Sequence, residues 1–246
     1  MENATYIALS RLDTQDRAMS VVANNIANGS TAGFKAEHTL FSDYLVHQTG
    51  NNTAPGGEIE AYTQDRATYQ NHAQGEFQQT GNPLDIAIGG DGFFQIKTSE
   101  GTRLSRSGRF ERMSDGTITD ESANPLLGQD NQPIRIDPAD KTITIASDGT
   151  ISTESGIAGK IGIVTPQDAN QLHAEGSKLF RADTKTTPLE TPHLMQGAIE
   201  SSNVQMMTEM THMLDIQRNF QFLSQFVDSE STRQQDAISK IVQTQA

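Results

Sequence analysis

From Ala198 to Ala246 the chain contains neither glycine nor proline. A run so free of helix breakers reads as one long helix, reaching on the order of 60 Å at 1.5 Å per residue. Alone in water such a helix buries nothing, so it needs a partner. Ser202-Asn203-Val204-Gln205 fits a capping box at its start, with the serine hydroxyl taking the third backbone N–H and the glutamine reaching back. Met206, Met210, Met213, Gln217, Phe220, Leu223 and Val227 then recur on one stripe. Glu230, Gln234, Ala237 and Ile241 continue its spacing with weaker hydrophobicity.

The opposite end repeats the pattern. Met1, Thr5, Ala8, Leu12, Gln15, Met19, Val22 and Ile26 alternate in steps of four and three, the contact line of a coiled coil. Gly29, Ser30 and Gly33 stop the helix. Asn24, Asn25 and Asn28 are poor helix formers that bind loose backbone groups well. With Ser201-Ser202-Asn203 at the other end, they suggest a polar joint fixing the angle between helix and following segment.

Between the helices the periodicity changes. Leu84-Asp85-Ile86-Ala87-Ile88 and Phe93-Phe94-Gln95-Ile96 read as strands on either side of Gly89-Gly90-Asp91-Gly92, taken as a hairpin turn. Ser114-Asp115-Gly116-Thr117-Ile118-Thr119 is echoed by Ser147-Asp148-Gly149-Thr150-Ile151-Ser152, two Asp-Gly turns running into strand residues. Thr142–Ile145 and Ile161–Val164 add short strands. The reading is therefore α+β: terminal helices that pair as a coiled coil around a central antiparallel β-domain. Residues 1–35 with 198–246 form the helical part and residues 76–165 the β-domain. Residues 36–75 and 166–197 connect them; within these, 46–75 read as a polar linker or extended arm and the latter as the return path.

The composition excludes whole classes of function. A net charge of −13 argues against nucleic acid, whose phosphates call for clustered Lys and Arg. With no cysteine, disulfides, thiolate nucleophiles and iron–sulfur clusters are ruled out. No apolar run is long enough to span a membrane, and Met1–Leu12 lacks the regions of a cleaved signal peptide. Hydrophobic residues are only 34% of the chain, so part of the apolar surface is expected to be buried against partners.

Catalytic chemistry finds little support. His38, His47, His72, His173, His193 and His212 are scattered without metal-ligand spacing, and neither a nucleophile elbow nor a phosphate-binding Gly-Lys-Ser/Thr loop is present. The Gly89–Gly92 cluster lacks the acidic ligands of a calcium loop. Met206, Met207, Met210 and Met213 beside His212 read as an adaptable apolar seam rather than a copper site. Asp85 and Asp91 sit at strand and turn positions and suggest no acid–base pair. No catalytic, cofactor or metal site is expected.

Ala23-Asn24-Asn25-Ile26-Ala27-Asn28, with Thr31, Gly33, Phe34 and Lys35, resembles the signature of the bacterial flagellar rod and hook proteins. Gly81–Ile88 through Gly92-Phe93-Phe94, Arg106-Ser107-Gly108-Arg109-Phe110 and Pro125-Leu126-Leu127-Gly128 resemble that family's β-domain. Glu200-Ser201-Ser202-Asn203-Val204, followed by Glu209-Met210 and Gln217-Arg218, is similar to its C-terminal signature. Arg218-Asn219-Phe220 and Gly29-Ser30 depart from the usual pattern. The opening and the length look most like the proximal-rod members, with the distal-rod members as alternative.

The resemblance implies a structural subunit of the basal-body rod, not an enzyme, whose paired terminal helices line a hollow, torque-transmitting axis. It implies partners among copies of itself, other proximal-rod and distal-rod proteins and the flagellar export apparatus. It also implies a rod crossing the periplasm, reached without a cleaved signal. Taken with the two seams, it implies an assembly interface of Leu12, Met19, Val22, Asn24, Asn25, Ile26, Asn28, Gly33 and Phe34 at one end. Asn203, Val204, Met210, Met213, Gln217, Phe220, Leu223 and Val227 supply the other. A non-flagellar coiled-coil scaffold remains an alternative.

Overall fold

The computed structural model describes residues 2–48, 58–176 and 178–244, with the side chains of residues 5–40, 67–176, 178–237 and 239–240. Met1 and the Ile241 side chain, both assigned to the helical seams, lie outside the described residues. The chain divides into two compact units. One takes residues 1–27, 37–70 and 205–246, and the other residues 28–36 and 71–204.

The helical unit holds α1 (Glu2–Ala27), the strands β1 (Glu37–Gln48) and β2 (Glu58–Gln70), and α2 (Met206–Thr244). Helix α1 packs against α2 and against both strands. Ala8 and Val22 of the expected seam are buried, but so are Thr14, Ala18 and Asn25 on its flank. The contact face of α1 is thus wider than one coiled-coil line, and its small residues let neighbouring backbones come close. Strands β1 and β2 pair antiparallel from Glu37↔Gln70 to Gln48↔Glu58, with a register shift between Leu40 and Phe41. This hairpin occupies much of the stretch read as a polar linker or extended arm. Its second strand, EIEAYTQDRATYQ, has too few apolar residues to show the alternation by which strands are read.

Helix α2 starts later than its sequence suggests. The Ser202 hydroxyl accepts from the Val204 N–H at 3.2 Å, two residues on rather than three. The first helical turn instead closes from the Glu209 N–H to the Gln205 carbonyl. The expected capping box therefore does not form at Ser202.

The β unit is built from fifteen short strands. In chain order they are β3 (Phe77–Gln79), β4 (Ile86–Gly89), β5 (Phe93–Thr98), β6 (Gly101–Ser105), β7 (Phe110–Arg112) and β8 (Ile118–Asp120). Then come β9 (Ile143–Ile145), β10 (Thr150–Thr153), β11 (Gly156–Lys160), β12 (Ile163–Pro166), β13 (Leu172–Glu175) and β14 (Leu179–Ala182). Strands β15 (Thr186–Pro188), β16 (His193–Gln196) and β17 (Ala198–Glu200) complete it. The largest sheet runs β13-β14-β6-β5-β12-β15, and all its pairings are antiparallel. Strands β11-β10-β9 form a second sheet, and three further pairs join β16 to β4, β17 to β3 and β7 to β8. Residues 166–197, read as a return path, thus contribute four strands.

Neighbouring side chains on a strand point to opposite faces, and β5 uses both. Phe94 enters the main core with Ile86, Ile96, Phe110, Ile118 and Leu126. Phe93 enters a second cluster with Leu104, Val164, Leu172 and Phe180. The two Asp-Gly turns close hairpins, β7–β8 and β9–β10, with Gly116 and Gly149 at φ 84° and 89°. The Gly89–Gly92 turn does not: β4 pairs with β16 and β5 with β6 and β12, so it links strands of different sheets.

Candidate functional site

Within the helical unit, the expected interface residues fall into three states. Val22 and Asn25 are buried. Leu12, Met19, Ile26, Met213, Leu223 and Val227 are half-buried, while Asn24, Met210, Gln217 and Phe220 are exposed. Met19, Gln217 and Phe220 come together with Gln15 and Ile216 along one groove of about 400 Å³ between α1 and α2.

Asn25 acts as a knot in this unit. Its amide oxygen accepts the Glu37 N–H at 2.9 Å, and its amide nitrogen donates to the Glu37 carbonyl at 2.8 Å. The same nitrogen lies 3.2 Å from Glu209 Oε2 on α2. One asparagine therefore ties the end of α1 to the start of β1 and to the first turn of α2. Buried polar groups need such partners, because an unmet one costs about 1–3 kcal/mol.

Helix α2 also carries apolar residues that the single-stripe reading omits. Met207, Leu214, Phe222 and Phe226 are exposed, Met207 and Phe222 at 77% and 71%. At 100° per residue these positions fall broadly opposite Glu209, Met213, Ile216 and Val227, which face the packed side. Helix α2 thus carries two apolar faces, one of them exposed.

In the β unit, Gly33 and Phe34 are buried, and Asn28, Asn203 and Val204 are half-buried. Gly33 sits at φ +71°, and a Cβ there would lie 2.4 Å from the Arg106 carbonyl carbon and the Ser107 nitrogen. Its N–H donates to the Glu200 carbonyl at 2.8 Å. Asn203 is this unit's counterpart of Asn25. It accepts the Ala36 N–H at 2.7 Å and donates to the carbonyls of Asn71 and Ala73 at 2.7 and 2.9 Å.

Beside it lies a buried charge network that the sequence reading did not single out. Glu200 receives Lys35 Nζ and Arg106 Nε at 2.6 Å each, and the Gly75 N–H at 2.9 Å. The side chains of Lys35, Arg106 and Glu200 are 2%, 5% and 1% exposed. Burial pulls the Lys35 pKa below its ordinary value, and the bond to Glu200 opposes that shift. Arg106 also donates to the carbonyls of Ile88, Gly90 and Gly92 and stacks over Phe93. A sequence signal was present: Glu200 is a lone acid after Ala198-Ile199, and Lys35 follows Gly33-Phe34. What the sequence lacks is any hint that the two, 165 positions apart, meet.

Among the described residues no His, Asp or Glu cluster is arranged to hold a metal ion, and no helix is long and apolar enough to cross a membrane. The geometry is that of a packing element and its anchors.

Known proteins match this chain at both ends and in the β unit. A flagella basal body rod protein profile matches residues 6–35, the flagellar hook protein FlgE/F/G D1 domain matches residues 87–153, and the flagellar basal body rod FlgEFG C-terminal profile matches residues 195–245. The first and last cover Asn25, Lys35, Glu200 and Asn203. The flagellar basal-body rod protein FlgF of Caulobacter vibrioides is 32% identical over 243 residues, 98% of each chain. FlgF of Mesorhizobium japonicum is 29% identical over 98% of each chain. FlgG of Bacillus subtilis is 30% identical over 97% of this chain and 99% of its own. Likeness along the whole length, anchored at both ends and in the β unit, means that this chain belongs to the flagellar basal-body rod protein family, a structural component of the basal body and not an enzyme.

Proposed function

We propose that the chain is a subunit of the proximal rod, built into the axis through its terminal helices. The observation that carries this reading is the second apolar face of α2, with Met207, Leu214, Phe222 and Phe226 exposed. In a rod, that face meets a terminal helix of the next subunit. The α1–α2 pair then supplies the coiled-coil layer lining the channel, with Leu12, Met19, Val22, Ile26, Met210, Met213, Gln217, Phe220, Leu223 and Val227 along its contacts. Asn24, Asn25, Asn28, Gly33, Phe34, Asn203 and Val204 hold the chain's course at the helix ends. Residues 1–35 and 198–246 act together as the assembly region, 76–165 as the outward β-domain, and 36–75 and 166–197 as the parts between.

The partners on this reading are copies of the chain, the other proximal-rod proteins, a distal-rod neighbour of the FlgG kind and the export apparatus. The rod crosses the periplasm, and the subunit reaches it without a cleaved signal. Full-length likeness to two proteins named FlgF supports the proximal position. Electron microscopy of basal bodies from a strain lacking the gene tests it. Rods that stop short, with neither distal rod nor hook, are expected. Complete rods and hooks overturn the reading.

A further inference from the structure

The charge network of the β unit has a wall facing a pocket of about 320 Å³, lined among others by Lys35, His72, Gly90, Gly92, Arg106 and Thr165. Two buried cations share one buried carboxylate, so the network carries one positive charge in excess. Asp91, also on the pocket wall, is exposed. Excess charge held away from water is strongly unfavourable unless something compensates it.

Hydrogen-bonding capacity points the same way. Lys35 spends two of its three N–H groups on Ala73 and Glu200, and Arg106 spends four of its five on Glu200 and three carbonyls. Two more side-chain atoms on the pocket wall, Thr165 Oγ1 and His72 Nδ1, are buried without a hydrogen-bond partner among the described residues. The His72 ring is bonded to the Ala169 backbone, and burial lowers its pKa, which favours the neutral imidazole. A neutral imidazole that donates one N–H presents its other nitrogen as an acceptor. The residues lining the pocket therefore hold three unspent donors and one acceptor, and its two cations are matched in number by the carboxylates of Glu200 and Asp91.

We propose that this pocket binds a compact phosphate-type oxyanion that retains one proton. Its unprotonated oxygens accept from Lys35, Arg106 and the Thr165 hydroxyl, and its O–H donates to His72 Nδ1. A carboxylate or sulfate, fully ionised at neutral pH, meets the donors but leaves His72 unmatched.

The test is a titration of the full-length protein with inorganic phosphate at constant ionic strength, following the backbone amide resonances of Gly90, Gly92 and Thr165. Saturable shifts with phosphate, absent with chloride, are expected. Sulfate is expected to bind roughly fivefold or more weakly, since it cannot offer the proton. Thr165→Val keeps a β-branched residue in strand β12 and removes only the hydroxyl, so the dispersed spectrum persists while phosphate binding weakens roughly tenfold. His72→Gln, a second variant at the pocket wall, narrows the preference for phosphate over sulfate. A chloride-like response to phosphate overturns the site, as does binding that both variants leave unchanged. Equal binding of sulfate and phosphate to the unaltered protein overturns the proton-bearing ligand.

Discussion

Among the described residues, the two units of this chain differ in the size of the apolar groups they bury. The β unit encloses Ile86, Phe94, Ile96, Phe110, Ile118 and Leu126 almost completely. The helical unit encloses Ala8, Thr14, Ala18, Val22, Asn25 and Glu209 and leaves Tyr6, Leu9, Met207, Leu214, Phe222 and Phe226 outside. A fully buried Phe or Ile is worth about 1.5–3 kcal/mol, and Ala far less. The β unit thus has what it needs to hold itself together, whereas the helical unit, among its described residues, leaves its largest apolar groups exposed. On the proposed function, the difference separates a part that folds from a part that assembles.

The sharpest way to break that comparison is at Glu200. Glu200→Ala leaves Lys35 and Arg106 buried without their counter-charge, and breaking a buried pair in this way costs about 3–5 kcal/mol. Because the carboxylate joins Lys35, the Gly75 N–H and Arg106, the loss falls on three separate segments of the β unit. Chemical denaturation followed in the β unit measures it. A loss below about 1 kcal/mol would show that the unit does not depend on its charged network.

A matched pair of truncations comes next. Phe94→Ala removes a wholly enclosed ring, packed edge-on against Phe110 at 5.0 Å between centroids, and is expected to cost about 3–5 kcal/mol. Phe222→Ala removes a ring already in solvent and is expected to change the stability of the free subunit by less than about 0.5 kcal/mol. In cells the order reverses for Phe222→Ala: a stable subunit with impaired motility. Normal swimming would mean that the outer face of α2 meets nothing in the rod.

Much of this division could be read from the residues alone. Residues with 3.6 periodicity and no glycine give α2, and the paired Ser-Asp-Gly-Thr segments give two hairpins, because both signals are local. Three asparagines at the end of α1 are a local signal as well, and one of them, Asn25, makes the backbone bonds that residue type favours. Three things were not legible. The β1–β2 hairpin is polar, so its pairing rather than its pattern makes it a sheet. The start of α2 shifts because Asn203 is engaged with Ala36, Asn71 and Ala73, partners more than 100 positions away. The Lys35–Glu200–Arg106 network joins three segments that look like separate motifs, and its members become neighbours only once β17 has found β3.

Gly33 offers a smaller test of how tightly the β unit grips its N-terminal segment. Gly33→Ala puts a methyl into backbone atoms at 2.4 Å and holds a non-glycine residue at φ +71°. A cost of about 2–5 kcal/mol is expected, from overpacking together with left-handed strain. Gly90→Ala is the control: its φ is +83°, but a Cβ there meets nothing within 4 Å. It should cost only the left-handed penalty, about 1–2 kcal/mol. Equal losses in thermal unfolding would mean that the approach to Arg106 relaxes without effect.

The smallest effect concerns the twin turns. The carboxylates of Asp115 and Asp148 each accept a backbone N–H and a hydroxyl from the threonine two residues on, at 2.9–3.1 Å. In both, the threonine's backbone N–H is the main cause of a pKa held below the ordinary 3.8. A depressed folded pKa stabilises the fold above the unfolded value and loses that contribution as pH falls through the folded one. The contribution is therefore complete above about pH 4 and disappears below it. Asp115→Asn and Asp148→Asn should each lower stability slightly at neutral pH and converge on the unaltered protein in acid, giving a shallower acid limb. Since Thr117 is buried and Thr150 only half-buried, Asp115→Asn should show the larger change. Acid titrations of thermal stability decide it. Parallel curves with no convergence would mean that the turns depend on the side chain's shape and not on its charge.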